Sequence, residues 1–483
     1  MSKVAFGAAA LTASNIARVI VQALAVPLVA RFVTPAEFGL VAVATPFLTL
    51  MMVFADAGIG MSLLRSKPDF EELWSTAFWF VVLVGLGLSC LVLAAAPIAA
   101  WIFGEPVIAL ILAALATIPL MHGIVAIPYA RVYQREKLVY LAVIESLGTL
   151  AGAGIAIWLA VSGSGVWALV AQQLSSILVR LIGVVMVSDF VPKARFKMSL
   201  LEGHVKFGRD MIGFKLIDFF ATSADRLVIG KILGVESAGY FGMATQIVRL
   251  PRLLLLGPIN RAIYPRLIRV SEDPAELRKI FLACTRVLGA VIFSSMAFAA
   301  VESHALFTIL LSDRWAPAAT LFSLLVPINA VMAVTSLNGT VLMAINRTDV
   351  QILSAAEYTS LRFAIVCATV WGGLEMLALG LNASFALYFY RFAKLFLPTI
   401  DCTFSKFLGA LGRPAVLAAL FAGLHMGISW WLDPRLEVRL LIGAVLLLAC
   451  WATMFLTMRS TFLVDLKVMR RNFKDDSPLI ETR

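Results

Sequence analysis

Fourteen long apolar runs dominate the chain, at roughly residues 8–31, 38–60, 75–100, 107–129, 139–161, 166–187, 210–233, 237–260, 281–301, 316–344, 350–370, 374–397, 414–432 and 438–457. An α-helix needs about 20 mostly apolar residues to cross bilayer hydrocarbon, where every backbone polar group must be satisfied internally. The expected fold is therefore an all-α polytopic membrane protein with about fourteen transmembrane helices. The seventh run is the most interrupted by polar residues. The tenth is overlong and contains Pro327, which predicts a kink. Composition agrees: of 483 residues, 61% are hydrophobic and only 14% charged. That leaves too little polar surface for a water-soluble globule and excludes a soluble enzyme, a disordered chain and a nucleic-acid module. The five cysteines and four histidines show no metal or redox spacing. Arg18 interrupts a first run long enough to span, so no cleavable signal peptide is expected.

The net charge of +11 is explained by topology. With the N-terminus inside, the cytoplasmic segments hold 26 Lys and Arg, while the opposite side holds only 5: Arg31, Lys231, Arg314, Arg435 and Arg439. Both termini are expected in the cytoplasm, and nucleic acid is not an expected partner. Every outer loop is short, which argues against a membrane-embedded glycosyl enzyme with external catalytic groups. The chain also lacks a phosphate-gripping Gly-x-x-x-x-Gly-Lys loop. Trp101, Trp315 and Trp371 fall at expected outer interfaces and read as anchors.

An internal repeat appears at an offset of 200 residues. The segment from Arg31 to Thr45 lies over Lys231 to Thr245, matching Gly39 with Gly239, Ala44 with Ala244 and Thr45 with Thr245. Six runs separate the copies, so both have the same orientation, as in parallel repeats related by an axis along the membrane normal. The expected organisation is an N-lobe over 1–187, a basic amphipathic cytoplasmic linker over 188–209, a C-lobe over 210–400, two extra helices within 401–457 and a basic cytoplasmic tail over 458–483. Two six-helix lobes around a central cavity suit alternating access.

Ionisable residues at membrane depth cost roughly 2.5–3.5 kcal/mol each on insertion scales, so they need a role. Asn15, Arg18 and Gln22 share one face of the first run. At the repeat offset stand Lys215, Asp218 and Thr222, followed by Asp225 and Arg226. These stripes read either as the lining of a wet cavity or as an Arg–Asp pair stapling the lobes. In the eighth run, Thr245, Arg249 and Arg252 share a face beside Pro251. Paired guanidinium forks there suit an anionic, phosphate-bearing ligand, with snorkelling to headgroups as the alternative. Glu357 reads as an ion-coupling carboxylate for a proton or sodium ion, or as the partner of Arg362. Asp56, Glu145 and Arg180 fall near cytoplasmic ends and read as interfacial or packing residues.

At Arg31–Gly39 (RFVTPAEFG), Asp56–Gly60, Tyr129–Leu138 (YARVYQREKL), Gly163–Leu169 (GSGVWAL) and Asp225–Tyr240 (DRLVIGKILGVESAGY), the chain resembles polysaccharide-transporter members of the multidrug/oligosaccharidyl-lipid/polysaccharide exporter superfamily. The motifs occur in order over about residues 8–400. The resemblance implies fourteen spans and a flippase for undecaprenyl-diphosphate-linked oligosaccharide repeat units in a bacterial inner membrane, serving exopolysaccharide, capsule or O-antigen synthesis. No cofactor is expected, with a proton or sodium ion as the candidate for coupling. The expected partners are the lipid-linked oligosaccharide, membrane lipids, and a polysaccharide polymerase with its chain-length machinery. The competing functions are a peptidoglycan-precursor flippase and a multidrug or cation antiporter of the same fold. An antiporter would need an acidic cavity, whereas Asp218 and Asp225 are balanced by Lys215 and Arg226.

Overall fold

The computed structural model describes residues 3–55, 59–64, 71–432 and 435–457; Asp56, two following residues of its motif and the basic tail lie outside the described residues. The described residues are helical and contain no strand. By compactness they form two units. The first holds α1 (Lys3–Ala30), α2 (Pro35–Ala55), α3 (Ile59–Leu63), α4 (Glu71–Phe103), α5 (Val107–Leu115), α6 (Thr117–Gln134), α7 (Leu138–Val161), α8 (Val166–Val187), α9 (Glu202–Thr222), α10 (Ala224–Ile232) and the start of α11 (Val235–Val248), with two short later segments, 310–315 and 366–374. The second holds α12 (Leu250–Arg269), α13 (Pro274–Val301), most of α14 (Ser303–Leu310), α15 (Ala316–Thr335), α16 (Leu337–Ala344), most of α17 (Thr348–Thr369) and of α18 (Gly373–Phe396), α19 (Phe404–Leu432) and α20 (Leu436–Thr457). The division falls within α11, not at the 188–209 linker, because α9 and α10 pack on α2. Compactness and repeat symmetry are different criteria for a boundary.

Local sequence chemistry sets several helix starts. Before α2, Thr34-Pro-Ala-Glu37 forms a capping box: Glu37 Oε2 accepts the Thr34 N–H at 2.8 Å, and Thr34 Oγ1 accepts the Glu37 N–H at 3.3 Å. Before α13, Asp273 Oδ1 accepts the N–H groups of Ala275 and Glu276 at 2.9 and 3.1 Å.

In the first unit, α2 is the hub and touches α4, α5, α6, α8, α9 and α10. Gly148 and Gly152, four residues apart on α7, let the backbone of α8 approach; a Cβ on them would lie 2.9 and 2.8 Å from the carbonyl oxygens of Ser176 and Gln172. The repeat glycines meet each other. A Cβ on Gly39 would collide with the Val235 carbonyl, one on Gly239 with the Pro35 carbonyl, and each would lie 3.1 Å from the other glycine's nitrogen. Trp315 seals this contact. It is fully buried, donates its indole N–H to the Ala30 carbonyl at 2.9 Å, and meets Phe38 and Tyr240 edge-on. The interfacial-anchor expectation is thus corrected for Trp315, whose apolar bulk plugs the turn between α1 and α2. Trp101 and Trp371 are exposed at 83% and 75%.

The linker is strapped to the start of α4. Lys193 pairs with Glu71, Lys197 with Glu72, and Trp79 donates to the Lys193 carbonyl at 2.9 Å. Lys137 and Arg135 grip Asp189 at its start, and the Lys137 hydrogen bond holds that carboxyl below the usual carboxylate range. Leu201 is buried against Leu73 and Trp74, so helix α9 already begins at Glu202, within the expected linker.

In the second unit, α13 packs against α15, α19 and α20. The overlong tenth run ends at Thr335 and resumes at Leu337, so its break is at Ser336 and not at Pro327. Beside Pro327, however, a side chain from another helix joins the backbone. The Ile328 N–H donates to Asn382 Oδ1 at 3.2 Å, and Asn382 Nδ2 donates to the Leu324 carbonyl at 2.8 Å. A side chain of α18 thus bonds the backbone of α15 on both sides of the proline, which lacks its own N–H.

Eleven helical stretches among the described residues are long and apolar enough to cross a membrane, and the molecule is a multi-pass membrane protein. One stretch, Thr348–Ile400, has 53 residues. At 1.5 Å per residue it would reach about 80 Å, roughly twice a bilayer, and the break at 370–372 leaves two stretches that are each long enough to cross. The seventh and eighth runs are broken at Ser223 and Arg249 and are not among the eleven.

Candidate functional site

Two cavities adjoin in the first unit, of about 480 and 380 Å³, and share Met52, His122 and Arg180. Their walls come from polar stripes on neighbouring helices. α2 supplies Thr45, Thr49 and Met52; α6 supplies His122, Tyr129 and Tyr133; α7 supplies Glu145 and Thr149; and α8 supplies Gln172, Gln173, Ser176 and Arg180. Apart from the adjacent Gln172 and Gln173, these residues recur within each helix at steps of three, four or seven, which places them on one face.

The larger cavity is ionic and aromatic. Glu145 is held by an ion pair with Arg18 and accepts a hydrogen bond from the Tyr129 hydroxyl at 3.1 Å. Arg18 also donates to Asn15 Oδ1 at 3.4 Å. The Arg18 and Glu145 charges therefore compensate each other, and among the described lining residues Arg180 supplies the remaining fixed positive charge. None of the ion pairs among the described residues involves Arg180. A guanidinium facing a cavity without a carboxylate partner is suited to a phosphate or other oxyanion.

Of the residues expected at the site, the structure brings Asn15, Arg18 and Gln22 to this region; Gln22 lines the smaller cavity. Arg18 is bonded to Glu145 of α7 and not to an Asp of α9. Lys215, Asp218 and Thr222 lie on α9, and Asp225 and Arg226 on α10; none lines these two cavities. Thr222 donates back to the Asp218 carbonyl at 2.7 Å, and Asp225 is buried. Arg249 caps α12 and Arg252 is exposed in its first turn, both in the second unit. The expected pairing of Glu357 with Arg362 is corrected. Glu357 accepts hydrogen bonds from Arg391 Nη2 and Nε, at 2.9 and 3.2 Å, and from the Tyr388 hydroxyl at 3.1 Å. Arg362 lies five residues along the same helix, where a residue points to a different face.

His122, Gln172 and Gln173 were not singled out from sequence, and Glu145 and Arg180 were read as interfacial or packing residues. Helical spacing carried the signal: Glu145 with Thr149, and Gln173 with Ile177 and Arg180, fall at i, i+4 and i+7 intervals like the stripe of α1.

The family described as polysaccharide biosynthesis protein matches residues 28–320, more than half of the chain. A succinoglycan biosynthesis transport protein of Rhizobium meliloti is 26% identical over 304 residues, which is 62% of this chain and 61% of that relative's length. A lipopolysaccharide biosynthesis protein of Escherichia coli is 22% identical, covering 80% of each chain. A teichuronic acid biosynthesis protein of Bacillus subtilis is 21% identical, covering 87% of this chain and 88% of its own. Among solved structures, the lipid II flippase MurJ in an inward closed conformation superposes with a TM-score of 0.71 at 15% identity, covering 94% of this chain and 99% of that one. An inward-facing multidrug resistance MATE family transporter of the MOP superfamily reaches 0.56 at 15% identity, over 83% and 98%. These two likenesses establish the fold.

Proposed function

The chain belongs to the polysaccharide biosynthesis protein family, and from that premise we propose that it flips polyprenyl-diphosphate-linked oligosaccharide repeat units across a bacterial inner membrane by alternating access. The observation that carries this reading is Arg180, a cation without an ion-pair partner among the described residues, in a polar cavity walled by apolar helices. The diphosphate and glycan need a polar path that hydrocarbon does not offer, while the polyprenyl tail can stay in lipid. The names of the relatives, which refer to biosynthesis or transport for several different surface polysaccharides, support the same substrate class.

A cation antiporter is less well supported, because Glu145, the carboxylate lining these cavities, is already held by Arg18 and Tyr129. In the proposed topology there are fourteen crossings, both termini are cytoplasmic, and the Gly39–Gly239 contact closes the outer side. A polysaccharide polymerase and its chain-length machinery would receive the flipped unit.

The test is complementation of a deletion strain. Cells lacking the protein should accumulate lipid-linked repeat units on the cytoplasmic face, the wild-type gene should clear them, and Arg180→Ala at normal abundance should not. Full export by Arg180→Ala would remove this cavity from the reaction. Absence of accumulation in the deletion strain would remove the flippase reading altogether.

A further inference from the structure

The two adjoining cavities differ in chemistry. The larger one carries Arg180 with Tyr129, Tyr133 and Glu145. Apart from the shared Arg180 and His122, the polar wall of the smaller one consists of three amides, Gln22, Gln172 and Gln173, and the hydroxyls of Thr45, Thr49, Thr149 and Ser176.

The three threonine hydroxyls spend their protons on their own helices. Thr45 donates to the Val41 carbonyl at 2.7 Å, Thr49 to that of Thr45 at 3.0 Å and Thr149 to that of Glu145 at 3.0 Å. They face the cavity only as acceptors. The amides have no such local partner: among the described residues, none of the hydrogen bonds involves the side chain of Gln22, Gln172 or Gln173. Each offers two N–H donors and a carbonyl acceptor. Gln172 and Gln173 are partly exposed and Gln22 is exposed at the cavity wall, so their amides stand open to a polar ligand in exchange for water. Gln172 is also held in place, because Gly152 admits its backbone directly against α7.

Resting on the flippase reading, we infer that Gln22, Gln172 and Gln173 form a glycan-reading subsite that selects the repeat unit by hydrogen bonds to sugar hydroxyls. Two features favour sugar over other polar cargo. The wall is uncharged except where it meets Arg180, and it mixes donors with acceptors, as a hydroxyl-rich ring requires. Its volume of about 380 Å³ suits a small saccharide portion, not a whole lipid-linked oligosaccharide. The subsite adjoins Arg180, as the glycan adjoins the diphosphate. Discrimination should be sharp, because a site built to bond a hydroxyl rejects an analogue lacking it far better than an apolar pocket rejects a missing methylene.

The test measures export of two repeat units in the deletion strain: the native unit and a unit in which one sugar is replaced by its deoxy counterpart. The proteins are wild type, Gln172→Leu with Gln173→Leu, the isosteric Gln172→Glu, and Arg180→Ala, each with abundance measured. The expected result is a tenfold or larger fall in the native-to-deoxy export ratio for the Leu pair, a smaller fall for Gln172→Glu, and loss of both units for Arg180→Ala. If the Leu pair is not retained in the membrane, the ratio for Gln172→Glu decides. An unchanged ratio together with loss of both units in Arg180→Ala would overturn the subsite and leave the flippase reading standing. Normal export of both units by Arg180→Ala would overturn the flippase assignment of this cavity instead.

Discussion

Arg18, Glu145 and Arg180 show what one side chain decides here. Arg18 and Glu145 keep 25% and 15% of their side-chain surface exposed, so removing one partner leaves a partly desolvated charge. Thermal unfolding in detergent should show Arg18→Gln and Glu145→Gln each less stable than wild type, and the double variant less damaged than their sum. The expected coupling is about 0.5–3 kcal/mol, the range for groups in direct contact; strict additivity would mean that the pair contributes nothing specific. The stripe of Arg18 and Gln22 was legible in sequence, because an Arg and a Gln on one face of an apolar helix need polar partners; the structure gives Arg18 an ion pair with Glu145 and places Gln22 at the smaller cavity. Glu145 and Arg180 were not, because distance from a helix end was read as interface, whereas α7 and α8 turn those positions toward α1 and α2. Trp315 failed for the opposite reason. Its place at the end of a run suits an interfacial anchor, and only the folded chain puts Ala30, Phe38 and Tyr240 around it.

Elements carry the next set of decisions. The helices themselves were readable, since length and apolarity are properties of a run, but the tenth run breaks at Ser336 and not at Pro327. The bond from Asn382 to the backbone beside Pro327 was not readable either, because it joins residues 54 positions apart. The two C-terminal helices lie outside the repeat, yet they are pinned to α13. Glu302, fully buried at the end of α13, bonds His425 Nε2 at 2.5 Å from α19 and Arg439 Nε at 2.8 Å from α20. Further along, Trp451 of α20 donates to Ser294 Oγ of α13 at 2.7 Å. Glu302→Ala would strand Arg439, at a cost of about 3 kcal/mol. This is the low end for a broken buried pair, because Arg439 keeps 36% of its side chain exposed. Hydrogen exchange should then rise in α19 and α20 while α7 and α8 keep their protection. Unchanged exchange in α19 and α20 would mean that apolar packing alone holds these helices. Ser294→Ala, which removes one neutral acceptor, should cost only about 1 kcal/mol.

For the whole molecule, the strongest link between sequence and structure is the 200-residue repeat, whose two copies of one glycine touch. Their carbonyl contacts leave no room for a β-carbon, so the proposed outer closure depends on the absence of side chains at Gly39 and Gly239. Gly39→Val should therefore disfavour the closed form and shift the protein toward states open on that side. Increased reactivity of a cysteine at Ser237 toward an impermeant thiol reagent would report the shift, and unchanged reactivity would mean that the contact does not gate. The same geometry predicts the converse experiment. Pro35 and Val235 each lend their carbonyl to the opposite glycine's approach, so the turns that carry them are adjacent in this state. A disulfide requires Cα atoms within about 7 Å, and therefore forms only while these turns are together. A Pro35→Cys, Val235→Cys pair, or Ala36→Cys with Glu236→Cys, should oxidise readily, stop export, and release it on reduction, while each single cysteine exports normally. Transport requires the site to open alternately to each side, so a carrier with its outer side tied shut has no route to release cargo. A fully crosslinked protein that still exports at the wild-type rate would show that cargo leaves by a path these turns do not guard.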